Sequence, residues 1–236
     1  MEGRTYDIAD CSPNVLELLP LLMEKASRVI LKLSPMFDWH RAVEALKYVE
    51  EVHIVSVDNE CKELLMVLGG RLSEGLRLCC VNGDQYFEVF PLRCDALSFE
   101  ASVPLPVSET VFHLEHHRFL YEPNASIMKA GCFGELARSF RVTPVAQNSH
   151  LFLSPVEIDD FPGRSFQIQA ISSVNKKELI QKAGSVERAN ISVRNFPLSA
   201  DQLRKKLKLK DGGDVYLFAT TLHDGQHRLF ICRKIS

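Results

Sequence analysis

No apolar run in this 236-residue chain approaches the roughly 18 uncharged positions that a membrane-spanning helix needs, so we expect no membrane partner. The first ten residues, MEGRTYDIAD, lack the apolar core of a secretory signal, which favours a cytoplasmic location. Cysteine pairs of the CxxC type are missing as well. An odd number of scattered cysteines indicates free thiols in a reducing compartment rather than a metal site. The seven are Cys11, Cys61, Cys79, Cys80, Cys94, Cys132 and Cys232.

The composition predicts an ordinary folded protein with an uneven charge distribution. Apolar residues make up 46% and charged residues 25%, so the chain can form one or two domains with a real core. Residues 176–236 carry 13 Lys and Arg against 6 Asp and Glu, whereas residues 1–175 carry 15 against 24. A basic end on an acidic body favours a polyanion as partner, although a solvated basic helix produces the same composition.

Residues 28–69 contain the clearest secondary-structure pattern. A β-branched apolar run from Val29 to Leu33 predicts a strand, which Ser34-Pro35 ends. Asp38 can cap a following helix, whose apolar face extends as far as Val49. Residues 52–57 predict a second strand, and residues 64–68 predict a third strand antiparallel to it. This order is typical of one end of an open α/β sheet.

The rest of the chain predicts one upstream helix and three downstream segments. Upstream, Ser12-Pro13 predicts a helix start, with Pro20 bending or breaking that helix. Residues 71–110 predict a hairpin at Asn82-Gly83 and an extended connection. Residues 111–175 predict an α+β module, with a helix capped by Asn124 and continuing to about Phe140.

The basic module, residues 176–236, contains the best candidate for a binding site. Ser199 caps a predicted helix whose later turns are loaded with positive charge, which in part complements the helix dipole. Basic groups contact phosphate whatever the sequence, and an exposed aromatic ring can stack on an unpaired base. Phe196 is equally well explained as a core residue. The candidate RNA-binding residues are Arg194, Phe196, Arg204, Lys205, Lys206, Lys208 and Lys210.

Seven longer strings of the sequence are distinctive: ADCSPNVLELLPLL, RVILKLSPMFDW, EVHIVSVDNECKELLMVL, FLYEPNASIMKAGCF, NSHLFLS, FPGRSF and ANISVRNFPLSADQLRKKLKLKDGGDVYLFATTL. They resemble a bacterial family of class I S-adenosylmethionine (SAM)-dependent methyltransferases with ferredoxin-like and THUMP-like domains. The resemblance implies the rear half of a Rossmann-like methyltransferase sheet in residues 1–70. It also implies a ferredoxin-like module in residues 111–175 and a THUMP-like module in residues 176–236.

The chain departs from this family in its cofactor motifs. Family members carry upstream a Gly-rich loop, an acidic residue after the second strand and an Asp-Pro-Ala-Arg-type motif, and this sequence contains none of them. In open α/β sheets the ligand lies at the carboxyl ends of the strands, at the switch in strand order. We therefore expect that the N-terminal SAM-binding half is absent. SAM would be the cofactor of the intact fold, and this chain alone would bind none.

Two polar clusters lie where the resemblance implies a substrate cleft. Ser34 and Pro35 follow the first strand of the 28–69 segment, and Asn59, Glu60 and Lys62 lie between its second and third strands. Each cluster is also explained without a substrate, because these residue types commonly end a strand or make a turn. No catalytic residue is identified.

Two functions are therefore compatible with the sequence. The first is part of an RNA methyltransferase acting on tRNA or rRNA, in which the C-terminal modules position the RNA and this chain is inactive alone. The alternative is a non-catalytic RNA-binding or scaffold fragment. In either case the strand from Val29 to Leu33 would lie at a sheet edge, where it could pair with a second copy or with a missing N-terminal half.

Overall fold

A computed structural model describes residues 8–69, 75–92 and 114–235. These residues form two compact units. The first contains the described residues up to 92 together with 124–132, and the second contains residues 114–123 and 133–235. The divisions expected at residues 70, 110 and 175 do not coincide with the limits of these units.

The first unit is a five-stranded mixed sheet with helices packed on it. After a 3₁₀ turn at Ile8–Asp10, its elements are α1 (Val15–Lys25), β1 (Arg28–Leu33), α2 (Trp39–Leu46), β2 (Val49–Val57), β3 (Glu60–Gly69), β4 (Leu76–Asn82), β5 (Gln85–Leu92) and α3 (Ala125–Ala130). The strand order is β1-β3-β2-β4-β5. Strand β3 is antiparallel to both β1 and β2, whereas β4 is parallel to β2 and antiparallel to β5.

The strands and the helix predicted within residues 28–69 are confirmed, with one end corrected. Asp38 caps α2, because its Oδ1 accepts a bond from the backbone N–H of His40 at 2.9 Å. Lys47 then adopts a left-handed conformation, φ 63°, which ends the helix. Val49, which the pattern placed on the helix, is instead the first residue of β2.

The upstream helix starts later than expected. Asn14, not Ser12, caps α1, since its side chain accepts from the N–H of Leu16 at 3.1 Å. Pro20 lies inside α1, and the helix continues through it to Lys25.

The hairpin assigned to the connecting segment belongs to the first sheet. Strand β4 pairs in parallel with β2 from Glu51 opposite Arg77 to Ser56 opposite Asn82. Sheet pairing therefore continues past the boundary expected at residue 70. The remainder of the expected connection, residues 93–113, lies outside the described residues.

The second unit is built on one seven-stranded sheet. Its elements are β6 (Phe119–Pro123), α4 (Phe133–Phe140), β7 (Thr143–Pro144), β8 (Phe152–Ser154), β9 (Gly163–Ser172), α5 (Lys176–Ala183), β10 (Asn190–Arg194), α6 (Ala200–Leu207), β11 (Val215–Thr221) and β12 (His227–Lys234). The order is β10-β11-β12-β9-β6-β8-β7. Because β9 pairs with both β6 and β12, the two modules expected on either side of residue 175 share this sheet.

The prediction of a single helix from residue 125 to about 140 is wrong, because two helices occupy this stretch. Gly131 takes a left-handed conformation, φ 73°, and ends α3, and α4 begins at Phe133. Asn124 does cap α3, as predicted, by accepting a bond from the N–H of Ile127 at 3.2 Å. The two helices belong to different units.

The core of the second unit lies on both faces of its sheet. Helices α5 and α6 bury Leu179, Leu203 and Leu207 against Leu217 and other apolar residues of β11 and β12. A second cluster contains the aromatic rings of Phe166, Phe218 and Phe230 together with Leu120 and Leu153. Because both faces of the sheet are packed against apolar clusters, side chains that extend from its strands are held in defined positions.

Candidate nucleic-acid interface

Helix α6 and the turn after it carry an exposed basic cluster in the second unit. Ser199 and Gln202 form a reciprocal capping box at its start, and Leu203 and Leu207 anchor one face in the core. The opposite face and the turn that follows point into solvent. Lys208 ends the helix in a left-handed conformation, φ 55°, so the chain turns while its side chain stays exposed.

Four of the predicted RNA-binding residues form this exposed cluster, which we call the α6 lysine cluster. Its members are Lys205, Lys206, Lys208 and Lys210. In the described part of the chain none of the four takes part in an ion pair. Four uncompensated ammonium groups within six residues create a positive surface that a polyanion can neutralise.

Arg204 lies beside the α6 lysine cluster but has its charge compensated. Its Nη1 donates to Asp201 at 2.7 Å and its Nη2 to Asp211 at 2.5 Å. Its side chain is only 23% exposed, and its Nε is buried without a partner among the described residues. Arg204 therefore ties the end of α6 to the turn before β11, and most of its charge is used locally.

The structure places Phe196 against the core of its own unit. The ring is half buried and packs on the cluster beneath α5 and α6. It also makes an edge contact with the ring of His227, with centroids 5.1 Å apart. Of the two explanations that the sequence left open, packing is the one these contacts support.

Arg194 lies on the other side of the sheet in an ionic group of three residues. Its Nε and Nη2 both bond Oε1 of Glu122, at 3.2 and 2.8 Å. Arg164 bonds the second oxygen, Oε2, through its Nε at 2.8 Å and through its Nη2. The Glu122 side chain is 4% exposed, whereas the arginines are 41% and 36% exposed for Arg164 and Arg194. A buried carboxylate thus holds two guanidinium groups at the surface.

The local backbone explains why Arg164 reaches Glu122. Gly163 pairs with Pro123, and a Cβ added to Gly163 would meet the carbonyl oxygen of Glu122 at 2.2 Å. Only glycine permits β9 to approach β6 this closely. Arg164 is then directly opposite Glu122 in the strand register.

His150 lies close enough to Arg194 for the arginine charge to affect its protonation. Burial lowers the pKa of His150, and the positive charge of Arg194 lowers it further. Its ring stacks on Phe133 with centroids 4.4 Å apart. Near neutral pH the imidazole is therefore uncharged, and the excess positive charge comes from the arginines.

In the first unit, the predicted substrate-cleft residues Asn59, Glu60 and Lys62 lie in the β2–β3 turn and at the start of β3. Asn59, in a left-handed turn conformation, receives a bond from the N–H of Ala125 at 2.8 Å and donates its own N–H to Asn82 at 3.0 Å. Glu60 and Lys62 pair with each other at 2.6 Å on the surface. The two bonds of Asn59 connect the β2–β3 hairpin to the β4–β5 hairpin and to the start of α3.

Ser34 and Pro35 form the turn after β1. Ser34 Oγ accepts from the N–H of Met36 at 3.3 Å. Because β1 and β2 are both antiparallel to β3, the Ser34 and Asn59 turns lie at the same edge of the sheet. Leu33 and Ile54 are both opposite Leu64, so the hairpin tip with Asn59 extends beyond Ser34. A substrate role for either cluster stays a prediction.

Two surface cavities in the first unit lie elsewhere. One, of about 410 Å³, is lined by Ile8 and by residues around α2, and the other, of about 500 Å³, lies between α1 and the end of α2. Neither includes Ser34 or Asn59. Within the described residues no group of three or more His, Cys, Asp and Glu side chains could hold a metal ion, and no helix there could cross a membrane.

Two family models match the second half of the chain. Residues 119–162 match a ferredoxin-like domain, and residues 163–234 match a THUMP domain-like family. The chain is also similar to a crystal structure described as a "putative methyltransferase" from Porphyromonas gingivalis W83. The two share 32% sequence identity with a TM-score of 0.84, over all of this chain and 58% of that one. No curated protein matches the chain.

These similarities confirm the ferredoxin-like and THUMP-like modules, which adjoin between Pro162 and Gly163 rather than near residue 175. Arg164, Arg194 and the α6 lysine cluster all lie in the THUMP-like part, and Glu122 lies in the ferredoxin-like part. Sequence reasoning missed Glu122 and Arg164. Their only local signal is a charged residue beside Pro123 and another beside Gly163, and nothing in the spacing connects them with residue 194.

Proposed function

We propose that this chain is part of a SAM-dependent RNA methyltransferase, acting on tRNA or rRNA, in which the second unit binds the RNA. The α6 lysine cluster is the observation that carries the RNA-binding part. It presents four ammonium groups without ion-pair partners among the described residues, in a region similar to the THUMP-like family. Such groups gain most from a ligand with closely spaced phosphates, because binding releases condensed counterions.

The methyltransferase part rests on similarity to the P. gingivalis structure, of which this chain spans 58%. The order β1-β3-β2, with β3 antiparallel to its neighbours, supports the proposal that the first unit is the rear half of a Rossmann-like sheet. Methyl transfer in such an enzyme depends mainly on holding the acceptor and the sulfonium methyl in line.

The described residues of the first unit do not fit SAM. The strand-to-helix connection between β1 and α2 is Ser-Pro-Met-Phe-Asp and contains no glycine, so its backbone offers no close cradle for a nucleotide. The turns after β2 and β4 use their polar groups on each other and on α3. We therefore propose no step through SAM on this chain alone.

Salt-dependent RNA binding tests the role of the α6 lysine cluster. The probe is a fluorescein-labelled 15-nucleotide oligouridine, and binding is measured by anisotropy from 50 to 300 mM KCl. A variant with all four lysines changed to glutamine should bind more weakly. It should also reduce the slope of log K against log salt by about 0.7 for each phosphate that the chain no longer neutralises.

A charge-matched control separates a specific surface from net charge. The control changes Lys25, Arg28, Lys32 and Arg77 to glutamine; each lies in an ion pair in the first unit, and the loss of four positive charges equals that of the cluster variant. Its salt slope should equal that of the wild-type chain. Equal slopes for the cluster variant and the wild type, or no binding of the probe by the wild type, would refute the RNA-binding proposal.

The alternative is a non-catalytic RNA-binding or scaffold protein. It is favoured by the poor fit of the first unit to SAM. Calorimetric titration with SAM distinguishes the two functions if it is run on this chain and on a longer chain that includes any coding sequence in frame upstream of Met1. Binding only by the longer chain supports the methyltransferase. Absence of binding by both supports the alternative.

A further inference from the structure

We propose that Arg164 and Arg194, held in place by Glu122, form a binding site for one phosphate group of the RNA. This inference rests on the RNA-binding role proposed above and adds a second contact surface to it, separate from the α6 lysine cluster. Glu122 acts in it as a positioning residue, and the two arginines are the groups that touch the ligand.

The geometry of the hydrogen bonds leaves matching donors on both arginines. Each guanidinium uses its Nε–Nη2 edge on a different oxygen of Glu122. Among the described residues neither Nη1 has an acceptor, so each arginine keeps its outer edge, Nη1 and the second Nη2 hydrogen, for another ligand. A phosphate offers several acceptor oxygens with a spacing that suits such forked donors.

The three residues differ in how deeply their side chains are buried. The Glu122 carboxylate is inside, and 41% and 36% of the Arg164 and Arg194 side chains reach solvent. A ligand that approaches from solvent therefore meets guanidinium groups first and cannot reach the carboxylate. Arg164 also lies over the ring of Phe166, 5.6 Å from its centroid, which further limits its rotation.

The charges of the group are not balanced without a ligand. One carboxylate neutralises one guanidinium, and a second guanidinium on the same carboxylate leaves a net charge of +1. A structural ion pair would need only one arginine, because two cations close together repel each other. His150 contributes no charge near neutral pH, since burial and Arg194 lower its pKa. The remaining positive charge suits an anion, and phosphate is the anion that RNA supplies.

The test uses the full chain, the 15-nucleotide oligouridine probe and single glutamine substitutions. R164Q and R194Q should each weaken binding about tenfold, and each should reduce the salt slope by about 0.7, the value for one phosphate on a single strand. If both arginines bind the same phosphate, the double variant R164Q/R194Q should lose no more slope than either single variant. A loss of about 1.4 in the double variant would mean two separate phosphates and would overturn the shared site.

Two further measurements separate a phosphate site from a structural role. Arg138, which is 58% exposed and paired with Glu135, provides the matched control R138Q, which should bind like the wild type. The ¹⁵Nε–¹Hε NMR signals of Arg164 and Arg194 should shift when the wild-type chain is saturated with probe, which a purely structural pair would not show. In E122Q both Nε–H groups should exchange with solvent faster than in the wild-type chain, because their charged acceptor is lost. Binding should also weaken, although circular dichroism shows a folded chain.

The outcomes keep this inference distinct from the proposed function. Weakened binding by the four-lysine variant, together with wild-type binding by R164Q and R194Q and unshifted Nε signals, overturns the phosphate site and leaves the RNA-binding role intact. Failure of the wild-type chain to bind the probe removes both.

Discussion

Replacing Glu122 by glutamine should destabilise the second unit by about 2–3 kcal/mol. Glutamine has nearly the same shape but offers one carbonyl acceptor in place of two charged oxygens. Its amide group would then point donor hydrogens at one of the two arginines. The substitution therefore removes charge-assisted bonds to both Arg164 and Arg194 at once.

The magnitude follows from the burial of the three groups. Breaking a fully buried ion pair costs about 3–5 kcal/mol, because the partner charge is left without compensation. Here the partners are 41% and 36% exposed, so water can solvate them once the carboxylate is gone. This hydration reduces the expected loss to the lower part of that range or slightly below it. At a urea m-value of about 2 kcal/mol per M, the midpoint should fall by about 1–1.5 M.

Urea unfolding followed by hydrogen-exchange mass spectrometry resolves the effect by unit. Peptides from β9 and β10 should show the lower midpoint. The matched control is Glu135→Gln, which removes an exposed ion pair with Arg138. It should lower the free energy of unfolding by less than about 0.5 kcal/mol. If E122Q unfolds at the same urea concentration as the control, Glu122 does not hold the arginines and the reasoning from burial is wrong.

Three further predictions follow from features of the two units. The second unit should lose stability as the pH falls below about 6.5, the pKa of histidine in an unfolded chain, because the lowered pKa of His150 keeps this residue neutral in the folded state. In urea titrations between pH 7 and 5, His150→Asn should make the free energy of unfolding depend less steeply on pH. Self-association, or pairing with a further segment, through β1 should appear as concentration-dependent sedimentation that Ile30→Lys abolishes, since Ile30 is 63% exposed on this edge; a wild-type chain that stays monomeric at all concentrations would exclude self-association. Native alkylation mapped by mass spectrometry should modify the partly exposed Cys11 and spare Cys232, because burial raises the pKa of the Cys232 thiol; equal labelling of both would contradict the packing of β12.

Elements with strong local signals could be predicted from the sequence. Strand β1, helix α2 with its Asp38 cap, the β2–β3 hairpin and helix α6 with its Ser199 cap all depend on residues within a few positions of one another. The α6 lysine cluster belongs to the same class, because the buried positions Leu203 and Leu207 already determine which face of the helix is exposed.

Features that depend on long-range pairing could not be predicted. The seven-stranded sheet needs β9 to pair with both β6 and β12, and no local pattern specifies that register. The bonds from Glu122 to Arg164 and Arg194 join residues 42 and 72 positions apart. For this reason the sequence predicts Arg194 as an RNA contact but does not predict its bonds to Glu122 or the neighbouring Arg164.

The break between α3 and α4 has no decisive local signal. Gly131 is tolerated inside a helix at modest cost, and it equally well ends one in a left-handed conformation. The preference here is decided by packing, because Ile127, Ala130 and Cys132 are fully buried in the first unit while α4 belongs to the second.

The position of α3 in the chain affects the order of folding during synthesis. The five strands of the first sheet are complete at Leu92, but the helix that packs on β2, β3 and β4 ends about 40 residues later. At translation rates of about 5–20 residues per second, the ribosome needs about 2–8 s to deliver it. During that interval the apolar surface under α3 has no cover from this helix, and β6 of the second unit is made before the first unit is complete. The nascent chain therefore cannot finish one unit before it begins the other.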